Sequence, residues 1–175
     1  MRIIPKPLPG EYPPYADMYM KLLPEGVPVL EHLRSQTERT CAMARGFSEA
    51  QLLRRYAPGK WSLKEVLVHI VDDERIFAYR ALRFARNEQS HLIGFDQDAY
   101  AAESGANPRP LESILAEYEA VRMATIALFE GQPEASLTRL GHGTGSANDA
   151  TVRALCHHIA GHELHHLKVI QERYL

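Results

Sequence analysis

Apolar residues return every three or four positions along most of the chain, the period of helices with one buried face. From Pro28 onward Leu30, Leu33, Thr37, Cys41 and Ala44 keep that step, and Gly46 stands where a helix C-cap belongs. Ser62-Leu-Lys-Glu65 is a capping-box pattern that opens a second helix. Its apolar stripe is Leu63, Val66, Leu67, Ile70, Phe77, Ala81 and Phe84, and Arg80, Arg83 and Arg86 crowd its last turns, where the helix dipole favours cations. It is expected to end near Asn87. A third helix opens on Pro110, buries Leu111, Ile114, Leu115, Tyr118, Val121, Thr125 and Leu128, and stops near Gly131. A fourth, capped by Asn148 or Asp149, runs to about Arg173.

The segments between these helices read differently. Residues 89–109 show no clear period, and a connection of that length is often functional or crosses an end of the fold. Gly141-His-Gly-Thr-Gly-Ser-Ala reads as a flexible link, since it matches neither a phosphate-binding loop nor a G-x-S-x-G elbow. Seven of the eleven prolines fall in the first 28 residues, which predicts an extended arm over the surface with one short helix around Tyr15–Leu22. No alternating run suggests a sheet. The expected architecture is all-α: an N-terminal arm over residues 1–27 and a four-helix bundle over 28–175.

Composition narrows the function. A chain of 175 residues is one domain with a core of its own. A net charge of −2 gives no electrostatic case for nucleic acid. No apolar run approaches the ~18 residues of a membrane span, and the first ten residues lack the apolar stretch of a secretory signal. Two cysteines, Cys41 and Cys156, make no disulfide framework, so a cytoplasmic protein is expected. Both read as small buried apolar residues.

Nine histidines change the picture, because His157, His158, His162, His165 and His166 crowd into ten residues of the fourth helix. At about 100° per residue, His162 and His166 fall inside the stripe of Val152, Leu155, Ile159 and Ile170. His157 and His165 point outward and should be replaceable with little effect, while His158 sits on the flank. Two inward imidazoles at i, i+4 need two sets of hydrogen-bond partners, whereas one divalent metal ion satisfies both. His69, beside Val66, Ile70 and Asp73 on the second helix, supplies the third ligand. His32 lies off its apolar stripe, and His91 and His142 lie in loops. Asp73 can orient the His69 imidazole, and two of Asp72, Asp73 and Glu74 read as a solvated face paired with arginines.

His162-Glu-Leu-His-His166 also spells H-E-x-x-H, the zinc-protease motif, but the tail after His166 holds no further histidine and the match comes cheaply in a histidine-rich helix. Glu163 stays a candidate base or neighbour of the metal. Three ligands would leave coordination positions open for a thiolate cosubstrate or for a water that hydrolyses an ester or amide.

Trp61-Ser-Leu-Lys-Glu-Val-Leu-Val-His69, then Gly94-Phe-Asp-Gln-Asp98-Ala-Tyr, then Thr151-Val-Arg-Ala-Leu and His162-Glu-Leu-His-His166-Leu resemble the DinB-like superfamily, from about Pro28 to the end. The resemblance implies a four-helix bundle, commonly homodimeric, with a three-histidine site for a divalent metal such as nickel or zinc. Position by position its ligands fall on His69, His162 and His166. It further implies a small-molecule substrate and, from related members, S-transfer dependent on a low-molecular-weight thiol. A non-catalytic metal- or ligand-binding protein and a metal-dependent hydrolase remain the alternatives.

Overall fold

The start of each long helix follows from local chemistry. The computed structural model describes residues 2–144 and 149–175. After an arm with a single 3-10 turn and helix α1 (Asp17–Met20) come α2 (Val29–Arg45), α3 (Glu49–Leu52), α4 (Leu63–Ala85), α5 (Gln97–Glu103), α6 (Leu111–Glu130) and α7 (Val152–Arg173). The capping box at α4 is complete: the Ser62 hydroxyl accepts from the Glu65 amide, and the Glu65 carboxylate accepts from the Ser62 amide. At α7 the cap is Thr151, whose hydroxyl accepts from the Ala154 amide at 3.3 Å. Asp149 instead accepts from the Gly143 amide and faces the His142 ring, and Asn148 lies outside the described residues.

Two short helices had no visible period. Both α3 and α5 are under two and a half turns, too short for a buried stripe to recur, and only their caps mark them. Ser48 caps α3, and the Asp96 carboxylate caps α5 by accepting from the Asp98 and Ala99 amides. Two-residue strands β1 (Leu140–Gly141) and β2 (Ala150–Thr151) pair antiparallel, which ties the connection before α7 back on itself.

The four long helices form the bundle. α4 packs chiefly on α7 and α6, and α2 on α6 and α7, so α2 and α4 face each other across the diagonal. The apolar core is in two halves. One gathers Leu30, Leu33, Phe77, Phe84, Phe129 and Leu155; the other gathers Leu63, Leu67, Ile70, Ile114, Leu115 and Ile170. Between them every long helix contributes buried polar residues: Gln36 and Thr40, Asp73 and Glu74, Arg122 and Thr125, His162 and Glu163.

The centre of this belt is an ion triad. Arg122 donates through Nε and Nη2 to both oxygens of Glu74 at 2.8–3.1 Å, through Nη2 to Glu163 at 2.7 Å, and through Nη1 to the Leu33 carbonyl. The second oxygen of Glu163 accepts from Thr40 at 2.7 Å and from Tyr118 at 2.5 Å. Asp73 and Glu74 are thus both buried, so the expected solvated face reduces to Asp72 alone.

The arm is packed. Ile4, Ala16 and Met20 are buried, α1 lies on α7, and Glu11 pairs with Arg153 while its main-chain carbonyl accepts from the Thr151 amide and its carboxylate from the Thr151 hydroxyl. This corrects the outward placement of His157: it is 5% exposed, its Nδ1 lies 2.8 Å from the Arg153 carbonyl, and with His32 it lines a cavity closed by arm residues. A helical wheel shows only the direction of the bundle axis, and α7 is covered from a second side.

Two outcomes follow for stability. Arg122→Ala leaves two carboxylates buried without a counter-ion, and urea unfolding is expected to show a loss of about 3–5 kcal/mol. Burial pushes His157 down to about 4. Its folded form therefore binds fewer protons than the unfolded chain between about pH 4 and 6.5, and stability falls by up to about 1.4 kcal/mol per unit as pH drops through that window. Urea midpoints of His157→Gln at pH 5 and 7.5 should differ less than those of the parent.

Candidate metal centre

His69 projects from the second turn of α4, and His162 and His166 project from successive turns of α7. Since α4 and α7 are neighbours, the three rings meet. Nε2 of His162 lies 3.2 Å from Nε2 of His69 and 3.1 Å from Nε2 of His166, and all three residues can place a ligand nitrogen within 4.8 Å of the others. His69 and His162 are buried, and His166 is half-buried.

Burial keeps these rings neutral. It lowers His69, holds His162 well below its usual range with help from the His166 ring, and pushes His166 down to about 3 with help from His69. Nδ1 of His162 lies 3.3 Å from Asp73 Oδ2, a buried carboxylate oxygen without a hydrogen-bond partner. Three neutral rings sharing one meeting point cannot satisfy one another, because each pair can share only one proton. A cation satisfies all three, and the two spacings from His162, 3.1 and 3.2 Å, lie between the roughly 2.9 and 3.4 Å edges of octahedral and tetrahedral sites with bonds of about 2.0–2.1 Å. The donor set fits a divalent metal.

The surroundings hold the rings in place. Trp61, one residue before the Ser62 cap, tilts over His69 at 4.7 Å, and its carbonyl accepts from the Tyr174 hydroxyl at 2.7 Å. Tyr19 of α1 sets its ring edge-on to His158, His162 and His165, at 5.0, 5.5 and 5.6 Å. His158 stacks flat on Phe77 at 3.7 Å, and its Nε2 comes within 3.5 Å of Asp73 Oδ2. Two cavities open beside the cluster. One, of about 890 Å³, reaches His166 past Trp61, Asn107 and Tyr174; the other, of about 460 Å³, reaches His162 past Tyr19, Phe77 and Phe95. Gln97, the first residue of α5, lines both.

The structure therefore brings together His69, His162 and His166 and leaves other candidates elsewhere. Asp73 belongs to the site, and its Oδ2 lies 3.3 Å from Nδ1 of His162 and 3.5 Å from Nε2 of His158. Glu163 does not border the histidines. It is fully buried in the ion triad, one step of about 100° round α7 from His162. His32 is buried against the arm instead of lying off the apolar face, and His91 and His142 stack on each other at 5.5 Å. Cys156 is fully buried, and burial raises its thiol, as it raises that of Cys41 to about 12.

Tyr19, Trp61 and Gln97 were not singled out by pattern. One sequence signal pointed at Tyr19: Gly161 interrupts α7 beside the histidines, and a helix-interior glycine marks a close approach. A Cβ there would sit 2.4 Å from the Tyr19 carbonyl oxygen.

A helical bundle with a buried three-histidine cluster between adjacent helices defines the class, and comparison with known proteins gives the family. The family model of the DinB superfamily matches residues 30–170, and the chain belongs to that superfamily. A protein of Oceanobacillus iheyensis, described as a candidate metal-dependent hydrolase, is 24% identical over 147 residues, covering 81% of each chain. YfiT from Bacillus subtilis, described as a probable metal-dependent hydrolase with an unusual four-helix bundle topology, superposes with a TM-score of 0.71 at 17% identity, over 95% of this chain and 90% of that one. That likeness shows the bundle fold. Among the described residues, no helix is long and apolar enough to cross a membrane.

Gly161→Ala forces Tyr19 away from α7. Limited proteolysis is expected to cut the arm before residue 28 several times faster in that variant, with the bundle itself resistant.

Proposed function

We propose that this chain is a divalent-metal enzyme acting on a small electrophilic substrate, with Nε2 of His69, His162 and His166 as the protein ligands. The observation that carries the proposal is the convergence of three neutral imidazoles beside two cavities, with Nε2 of His162 3.1–3.2 Å from Nε2 of His69 and of His166 and all three ligand nitrogens within 4.8 Å. The names of the two relatives, both of which describe metal-dependent hydrolases, agree with a metal-dependent reaction.

A bound divalent ion supplies Lewis acidity, lowering the pKa of a coordinated thiol or water toward neutrality. The protein's own groups do the rest. Asp73, 3.3 Å from Nδ1 of His162, places a negative charge that favours a proton on that nitrogen, Trp61 restrains His69, and Tyr19 closes the outer side of α7. His69 and His162 are buried, so the donors are already desolvated and cannot drift to other partners. Zinc and nickel both suit three imidazoles.

Two cavities beside the histidines leave room for two small molecules, and the family resemblance implies that one of them is a low-molecular-weight thiol, so we read the chemistry as S-transfer from that thiol to an electrophile. Hydrolysis is the second reading, favoured by the descriptions of the relatives. In either case the histidines bind metal, Asp73 positions one of them, and Glu163 stays a structural carboxylate.

Elemental analysis of the purified protein is expected to find about one divalent metal per chain, and His69→Ala, His162→Ala and His166→Ala should each lower occupancy at least about tenfold. Full retention in His69→Ala would remove the three-ligand assignment. Turnover of a model electrophile that needs both metal and added thiol selects transfer; metal-dependent, thiol-independent release from an ester or amide selects hydrolysis.

A further inference from the structure

Two arginines are fully buried in this protein, and they are provided for very differently. Arg122 meets two carboxylates and a carbonyl. Arg80, on α4 and 2% exposed, meets none: Nη1 is buried without a hydrogen-bond partner, and among the described residues no carboxylate pairs with the guanidinium. Its neighbours are ring faces, with Phe77 at 4.7 Å and Phe95 at 5.9 Å from Cζ. Ring faces attract a cation, but they supply no acceptor in the plane of the fork. The acidic groups whose influence reaches it are Asp73, whose carboxylate lies by His158 and His162, and the Tyr15 hydroxyl. A buried, unpaired charge is among the costliest features a fold can carry, so it marks a place where something else completes the pairing.

Arg80 lines a cavity of about 400 Å³ between α4 and the segment 90–95. Arg83 and His91 add positive or donor groups to its wall, and Tyr79, Phe95 and Tyr100 add aromatic surface. No acidic residue lines it among those described; Glu88 lies outside the lining and is engaged by Arg83 at 3.3 Å, and Arg83 also donates to Ser90 and Tyr79. Arg83 is thus partly neutralised, whereas Nη1 of Arg80 has no hydrogen-bond partner. This cavity is distinct from the two beside the histidines, though Phe95 is a wall of both this cavity and the smaller of those two.

We propose that Arg80 anchors a second binding site, for a small organic oxyanion, a carboxylate or phosphate joined to a flat apolar body, with the oxyanion on the guanidinium fork and the body against Phe95 and Tyr100. The planar fork of arginine fits two oxygens of either group, and the burial that makes the unpaired cation costly makes each charge-assisted bond strong. The site does not depend on the metal reading, since none of its residues belongs to the three-histidine cluster.

The test is calorimetric titration of the full chain, metal-loaded and chelator-stripped, with benzoate, phenyl phosphate and inorganic phosphate. Benzoate or phenyl phosphate is expected to bind both forms, inorganic phosphate more weakly, and Arg80→Met to weaken binding at least about tenfold. In the absence of anion, Arg80→Met should unfold at the same or a higher urea concentration than the parent, because it removes an unpaired buried charge. Should Arg80→Met not fold, Arg80→Lys decides, with binding weakened by loss of the fork. Unchanged binding in the variant that folds, binding only to the metal-loaded form, or no binding of any probe would each overturn the proposal; the second would place the anion at the histidines and leave the metal reading standing.

Discussion

The pairing of Arg122 with Glu74 and Glu163 is the constraint on which the bundle's arrangement turns. A guanidinium between two carboxylates at 2.7–3.1 Å, all three within 1% of full burial, is tolerable only if α4, α6 and α7 hold one relative height and rotation. Apolar contacts alone would accept a slide of one helix along another, since Leu against Ile is forgiving. The triad is not forgiving, and the hydroxyls of Thr40 on α2 and Tyr118 on α6 complete its acceptors, so all four long helices are tied at one level.

That level is also where the three histidines meet. His162 and Glu163 are adjacent on α7, and Asp73 and Glu74 are adjacent on α4. In each pair one residue serves the ion triad and its neighbour serves the histidine cluster, at about 100° round the helix. Whatever fixes Glu163 against Arg122 therefore also fixes His162 against His69. The polar belt that divides the apolar core is continuous, with a structural half on the α2 and α6 side and a ligand-bearing half between α4 and α7.

Much of this was legible in the residues. The periodicity of α2, α4 and α6 and the capping box at Ser62 placed three long helices to within a few residues, because an amphipathic stripe and a cap are local properties. Helical facing of His162 and His166 singled out two rings that converge with His69. The same method placed His157 outward, while the H-E-x-x-H spelling kept Glu163 as a candidate neighbour of the metal; the structure places both elsewhere, for one reason. A wheel describes one direction of burial, whereas α7 is packed on three sides: α4 receives His162, the Arg122 triad receives Glu163, and the arm covers His157.

The sequence by itself determined which long segments are helical, which of them carry ligand-competent side chains, and which histidines share a face, since these depend on spacing and chemistry within a few turns. Tertiary structure alone decided which carboxylate serves which ring. Asp73 reaches across to His162 and His158 on α7, and the arm delivers Tyr19 to α7 through the gap left by Gly161. Those choices depend on helix rotation and on contacts between residues far apart in the chain. They are set when buried charges find partners together, and no local pattern contains that condition.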